Sequence, residues 1–120
     1  MAISEIDFGA ARPIEGYGPE FYRIGGAVLP APALIVPGRE TGWGGFNDMA
    51  PLLALAGQVD VLLIGTGPDI APIPAGLRGP LEAAGIGVEI MSSPAACRTY
   101  NMLLSEGRRV GVALLPVQPG

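Results

Sequence analysis

Apolar residues fall along this chain in short runs whose spacing changes partway. The first runs are Ile6 with Phe8, Phe21 to Ile24, and Ala27 to Leu29, the last two separated only by Gly25-Gly26. Two short runs joined by two glycines predict a hairpin, because glycine reaches the positive φ angles that a tight turn needs. Ala33 to Val36 predicts a further strand that continues the same meander, closed by Pro37-Gly38. The first third therefore reads as an N-terminal β-meander, with residues 1–15 expected as an edge or loosely held segment.

The period then changes. Asn47 or Asp48 is expected to cap a two-turn helix running through Ala56, with Pro51 tolerated in its first turn and Gly57 as its stop. Val59 to Ile64 is an almost unbroken apolar run that ends in Gly65-Thr66-Gly67-Pro68. Such a run predicts a central strand covered on both faces, with Val61, Leu63 and Ile64 nearly inaccessible. Leu77 to Ala84, ended by Gly85, predicts a second helix, and Val88 to Met91 a short strand. Ser92-Ser93-Pro94 opens the longest helix, with Ser93 as its expected N-cap, Pro94 at the first helical position and Gly107 as the stop. Arg109 to Leu115 is the last strand. The alternation is that of an α/β fold, with no internal repeat and no domain boundary, so residues 1–120 are expected to form one domain.

Composition narrows the function classes. With 49% hydrophobic and 15% charged residues in 120, the chain can bury enough surface to offset the entropy of ordering. Seven arginines, no lysine and eleven carboxylates give a net charge of −4, a field that repels phosphate backbones and argues against a nucleic-acid partner. The longest apolar stretch, Met49 to Ile64, is broken by Pro51, Gly57, Gln58 and Asp60, short of the ~20 clean residues of a membrane-spanning helix. Glu5 and Asp7 stand where a secretory signal would carry basic and then apolar residues, so the cytoplasm is the expected compartment.

The chain contains no histidine, which removes the side chain best suited to proton transfer near neutral pH, and no lysine, which removes Schiff-base chemistry. Catalysis is not expected, and no cofactor or metal site is. Cys97 is the only cysteine, so there is no internal disulfide and no multi-cysteine metal site. It stands near the start of the third helix, where the macrodipole can lower a thiol pKa, but a small buried packing residue is the expected role.

Two segments could meet an anion or a partner's carboxylate. Gly65-Thr66-Gly67 follows a strand and can aim successive N–H groups outward, although it is neither a dinucleotide fingerprint nor a P-loop. Ser92 and Ser93 sit at a helix start with Arg98 in the following turn. Both follow strands, so they share one crevice if those strands are parallel neighbours. Asn101, in mid-helix beside Tyr100 and Met102, is expected to be a structural residue or part of that anion- or partner-binding site, its amide bonding the backbone of an adjacent loop rather than standing in solvent. Trp43, in Arg39-Glu40-Thr41-Gly42-Trp43-Gly44-Gly45-Phe46, either folds onto the core or marks an interaction surface.

The order of these pieces carries a resemblance. Phe21 to Gly26, Leu62 to Gly67, and Thr99 to Val110 with its Tyr100-Asn101 and Glu106-Gly107-Arg108, match over nearly the whole chain. The chain resembles the widespread small-domain family that includes the third assembly factor of mitochondrial respiratory complex I and an adipogenesis-associated animal relative. The resemblance implies a single three-layer α/β domain with a mixed β-sheet flanked by helices, a bacterial homologue given the missing targeting peptide, and no enzymatic activity. It implies a protein partner or partners in a membrane-associated complex, with the chain itself outside the bilayer and self-association left open. The competing expectation is a small-molecule or anion-binding domain using the Gly65–Gly67 and Ser92–Ser93 crevice.

Overall fold

A computed structural model describes residues 12–118. Eight strands and three helices follow in the order β1 (Ile14–Gly18), β2 (Phe21–Ile24), β3 (Ala27–Pro30), β4 (Ala33–Val36), β5 (Arg39–Gly42), α1 (Ala50–Leu53), β6 (Val61–Gly65), α2 (Ala75–Ala83), β7 (Gly87–Met91), α3 (Ser93–Ser105) and β8 (Val110–Leu114). The first three strands form an antiparallel meander, with the β2–β3 turn made by Gly25 and Gly26 at φ 60° and 79°. The remaining five form one mixed sheet in the order β5-β4-β8-β6-β7, in which β6 is parallel to both β7 and β8 while β4 is antiparallel to β5 and β8.

Strand alternation sends side chains to opposite faces of this sheet and so builds two cores. Leu62 and Ile64 of β6, Leu34 and Val36 of β4, and Ala113 of β8 pack with residues of α1 and α2. Leu63, Ile35, Val112 and Leu114 face the other way, onto α3 and the meander. The result is three layers: α1 and α2, the mixed sheet, then α3 with the meander beside it. The meander buries Tyr22 and Ile24 in the same cluster as Ala96, Cys97 and Tyr100 of α3.

Several local expectations shift. The apolar run at β6 is an interior strand between β7 and β8, but the middle of the sheet is β8. Leu63 and Ile64 are inaccessible, whereas Val61, at the strand's entry, is only partly buried. Helix α1 spans a single turn, and Met49 precedes it without a capping side chain. Asp48 is occupied elsewhere, its carboxylate accepting from Gly44 N at 3.0 Å and its carbonyl from Trp43 Nε1 at 2.9 Å. That pair turns the Trp43 loop inward, and Trp43 is buried edge-on against Phe46. Helix α2 begins at Ala75, earlier than the apolar pattern indicates.

The N-cap of α3 is Ser92, whose Oγ accepts from Ala95 N, and Ser93 is already helical. Ala33 to Val36, expected to continue the meander, instead pairs with β5 and β8 in the five-stranded sheet, and strands β1 and β5 were not anticipated. β1 is a short, bulged edge whose Gly16 and Gly18 dilute the alternation, and β5 is a polar edge strand, Arg39-Glu40-Thr41-Gly42. The strand expected around Ile6 and Phe8 lies outside the described residues. Among the described residues no helix is long and apolar enough to cross a membrane.

Candidate functional site

β6 and β7 run parallel side by side, with Gly65 opposite Met91, so the turns that leave them start from the same end of the sheet. This brings the Gly65–Gly67 turn against the start of α3. Gly67 N donates to Ser93 Oγ at 2.9 Å, Ser93 N donates to Gly67 O at 2.7 Å, and Thr66 N donates to Met91 O at 2.9 Å. Ser93 Oγ in turn donates to Leu115 O at 2.9 Å, and the Tyr22 hydroxyl donates to the same carbonyl at 2.5 Å. Ser93 is fully buried. Five segments of the chain therefore converge on one knot of hydrogen bonds: β2, the β6 turn, the end of β7, the start of α3 and the residue after β8.

Close packing at the knot requires glycine at 65. A Cβ there would lie 2.8 Å from both Ser93 Cα and Ser93 Oγ and 2.9 Å from Leu114 Cδ2, closer than such atoms approach. At 67, φ is +113°, outside what other side chains readily adopt.

The donors of this junction are engaged within the chain. In the first turn of α3, Ser93 N bonds Gly67 O, Ala95 N bonds Ser92 Oγ, Ala96 N bonds Ser92 O, and Pro94 has no N–H. Both N–H groups of the Thr66-Gly67 turn are likewise bonded. The two anticipated segments meet and bond each other directly, so an anion at these donors would have to displace those bonds. Arg98 lies one turn further along α3, exposed and in no ion pair among the described residues. Thr66 Oγ1 donates to Asp69 O at 2.8 Å and accepts from Ala71 N at 2.9 Å, so it organises the loop that follows.

Asn101 is positioned by α3 to face the meander, where its partner is the backbone of strand β1 and not, as expected, of a loop. Its Oδ1 accepts from Ile14 N and its Nδ2 donates to Ile14 O, both at 2.8 Å. A side-chain amide offers a donor and an acceptor side by side, so it substitutes for a neighbouring strand where the bulge between Ile14 and Gly16 breaks the β1–β2 ladder.

Neither Tyr22 nor the Leu115 carbonyl was expected in this network. For Tyr22 a signal existed: alternation places it with Ile24 on the covered face, and a buried tyrosine needs a partner for its hydroxyl. A backbone carbonyl carries no such mark. Burial pushes the phenols of Tyr22 and Tyr100 above their usual range. Tyr100 OH has no hydrogen-bond partner among the described residues.

Burial also pushes the Cys97 thiol up, to about 12, with Arg98 offsetting only part of the effect. Desolvation dominates, and the thiol is a packing group. Two results are expected. Alkylation by iodoacetamide at pH 8 is slow in the native protein and fast in denaturant. Because the folded pKa lies above the ordinary value of 9.0, Cys97 adds stability that is complete below about pH 9 and lost as pH rises toward 12. Rapid alkylation of the folded chain would show the thiol to be accessible.

Set against known proteins, the chain is 57% identical over 120 residues to an uncharacterised protein of Rhodobacter capsulatus, covering all of this chain and 96% of that protein. It is 30% identical over 127 residues to NADH dehydrogenase [ubiquinone] 1 alpha subcomplex assembly factor 3 of Danio rerio, covering all of this chain and 73% of the relative. Its fold matches a crystal structure from Bordetella parapertussis with a TM-score of 0.79 at 34% identity, over 90% of this chain and 98% of that one. Residues 14–115 match the family model described as Protein of unknown function (DUF498/DUF598), a span that begins with the Asn101-clamped strand and ends at the Leu115 carbonyl. The chain is therefore a member of the DUF498/DUF598 family, related to the complex I assembly factors.

Proposed function

We propose that this protein is a non-catalytic interaction domain that assists the assembly of a larger protein complex, of the respiratory complex I kind. The observation that carries the reading is the end-to-end similarity to assembly factor 3, which takes in the whole chain and not one motif. The site chemistry supports it. The only thiol is buried with a raised pKa, the chain has no histidine or lysine, and the polar groups of the Gly67–Ser93 junction satisfy one another. Its partners are proteins, it works in the cytoplasm beside a membrane-attached complex, and the knot keeps the framework rigid while the surface does the binding.

The test is deletion of the gene in the native host, followed by native gel electrophoresis of membranes and assay of NADH:ubiquinone oxidoreductase. Loss of the assembled complex, restored by the wild-type chain, is expected. Normal assembly in the deletion strain would overturn the reading.

A further inference from the structure

β7 closes one edge of the five-stranded sheet, so one of its sides bonds β6 and the other faces outward. Gly87 N donates to Asp60 O and Met91 O accepts from Thr66 N, which turns Gly87, Glu89 and Met91 toward β6. By the alternation of a parallel ladder, Val88 and Ile90 direct their backbone groups to the free edge. Arg78 Nη1 covers one of these, donating to Val88 O at 3.0 Å. The amide of Val88 and both backbone groups of Ile90 remain open among the described residues, the condition under which an edge accepts a further strand.

Beside this edge lies an apolar groove of about 330 Å³ lined by Ile70, Ala71, Pro72 and Ile90. Ile70 is 66% exposed, more than any other large apolar side chain among the described residues. It is held there, because the Thr66 hydroxyl bonds on both sides of it, to Asp69 O and Ala71 N. An exposed isoleucine on a fastened loop, next to an open strand edge, fits a side chain brought by an added strand.

Charge identifies the occupant. Glu89 is exposed on the opposite face of β7 from Val88 and Ile90, Asp69 adjoins Ile70, and neither is in an ion pair among the described residues. Were a second copy to pair antiparallel through this five-residue strand, centred on Glu89, the two Glu89 side chains would stand opposite each other, a destabilising arrangement. Each copy also carries a net charge of −4. A strand suited to this edge instead places an apolar side chain in the groove and, one residue on, a cation beside Glu89. We propose that the β7 edge with the Ile70–Ile90 groove docks an extended segment of a partner protein in which apolar residues alternate with lysine or arginine. This deepens the interaction reading above and rests on it.

The test titrates the full ¹⁵N-labelled chain with a short synthetic peptide alternating lysine and valine, and with its glutamate–valine counterpart. Saturable shifts and slowed amide exchange at Val88 and Ile90 are expected with the basic peptide alone. Glu89→Lys should reverse the preference, and Ile70→Ser should weaken binding several-fold without moving the urea midpoint. Absence of saturable shifts at β7, equal binding of both peptides, or shifts centred on β5 would overturn the proposal. So would sedimentation showing a dimer whose β7 amides become protected without peptide, which would make a second copy the occupant. The two readings fail separately: normal complex assembly in the deletion strain removes the interaction reading, whereas peptide failure beside an intact deletion phenotype removes only this surface.

Discussion

Replacing Leu63 by alanine is expected to lower the unfolding free energy by about 2–5 kcal/mol, a large part of the 5–15 kcal/mol typical of a domain. Leu63 is 1% exposed and sits on the α3 side of β6, in the cluster that holds Ala96, Cys97 and Tyr100. Deleting three carbons there removes their transfer free energy and leaves a cavity between two layers that cannot collapse freely, because α3 is tied at its start to the Gly67 turn and along its length to β1. Urea unfolding followed by far-UV circular dichroism measures the loss, with an unchanged denaturant slope marking a change in stability alone. A cost within the ~0.5 kcal/mol of an ordinary surface substitution would mean that β6 is not sandwiched.

Asn101→Ala is expected to cost about 2–4 kcal/mol, since it strands both the N–H and the carbonyl of Ile14 where β1 is bulged and cannot rebond to β2. The loss should be local as well as global. Amide exchange at Ile14 speeds up ahead of exchange in β6, because the meander's first strand loses its tie to α3 while the sheet does not. Asn101→Asp separates the two bonds: a carboxylate still accepts from Ile14 N but cannot donate to Ile14 O, so an intermediate loss is expected. Equal stability of the alanine variant and the wild type would remove the clamp from the account of the fold.

The two predictions differ in how readily the sequence foretells them. Leu63 belongs to an apolar run bounded by Gly65, and burial on both faces is a property of that local pattern. Asn101 stands out as a poor helix former in mid-helix, which indicates a partner without naming it. That the partner is the backbone of Ile14, 87 residues away, depends on how the meander folds over α3. The shared end of β6 and β7 could likewise be expected from two turns following two strands, but expectation stopped at proximity. What lies between the turns was not legible: Ser93 Oγ is a buried link to Gly67 and Leu115, and the N-cap falls to Ser92, because the approach of Gly65 leaves room for a hydroxyl at 93 that points inward.

Strands β1 and β5 escaped for a related reason. Each is an edge strand with few apolar residues, and its place depends on pairing with β2 or β4 rather than on its own preference. Asp48, a good capping residue in isolation, bonds Gly44 and Trp43 instead, since burying the indole requires a partner for its N–H at that point. The sequence by itself determined the order of apolar runs and glycine stops, hence the β2–β3 hairpin, the βαβ alternation and the buried β6, because these follow from periodicity over a few neighbouring residues. Only the tertiary structure decided that β8 takes the middle of the sheet, that Tyr22, Ser93 and Gly67 meet at Leu115, and that β7 is left with an open edge. Those contacts join residues distant in the chain, and their free energy exists only once the layers have closed on one another.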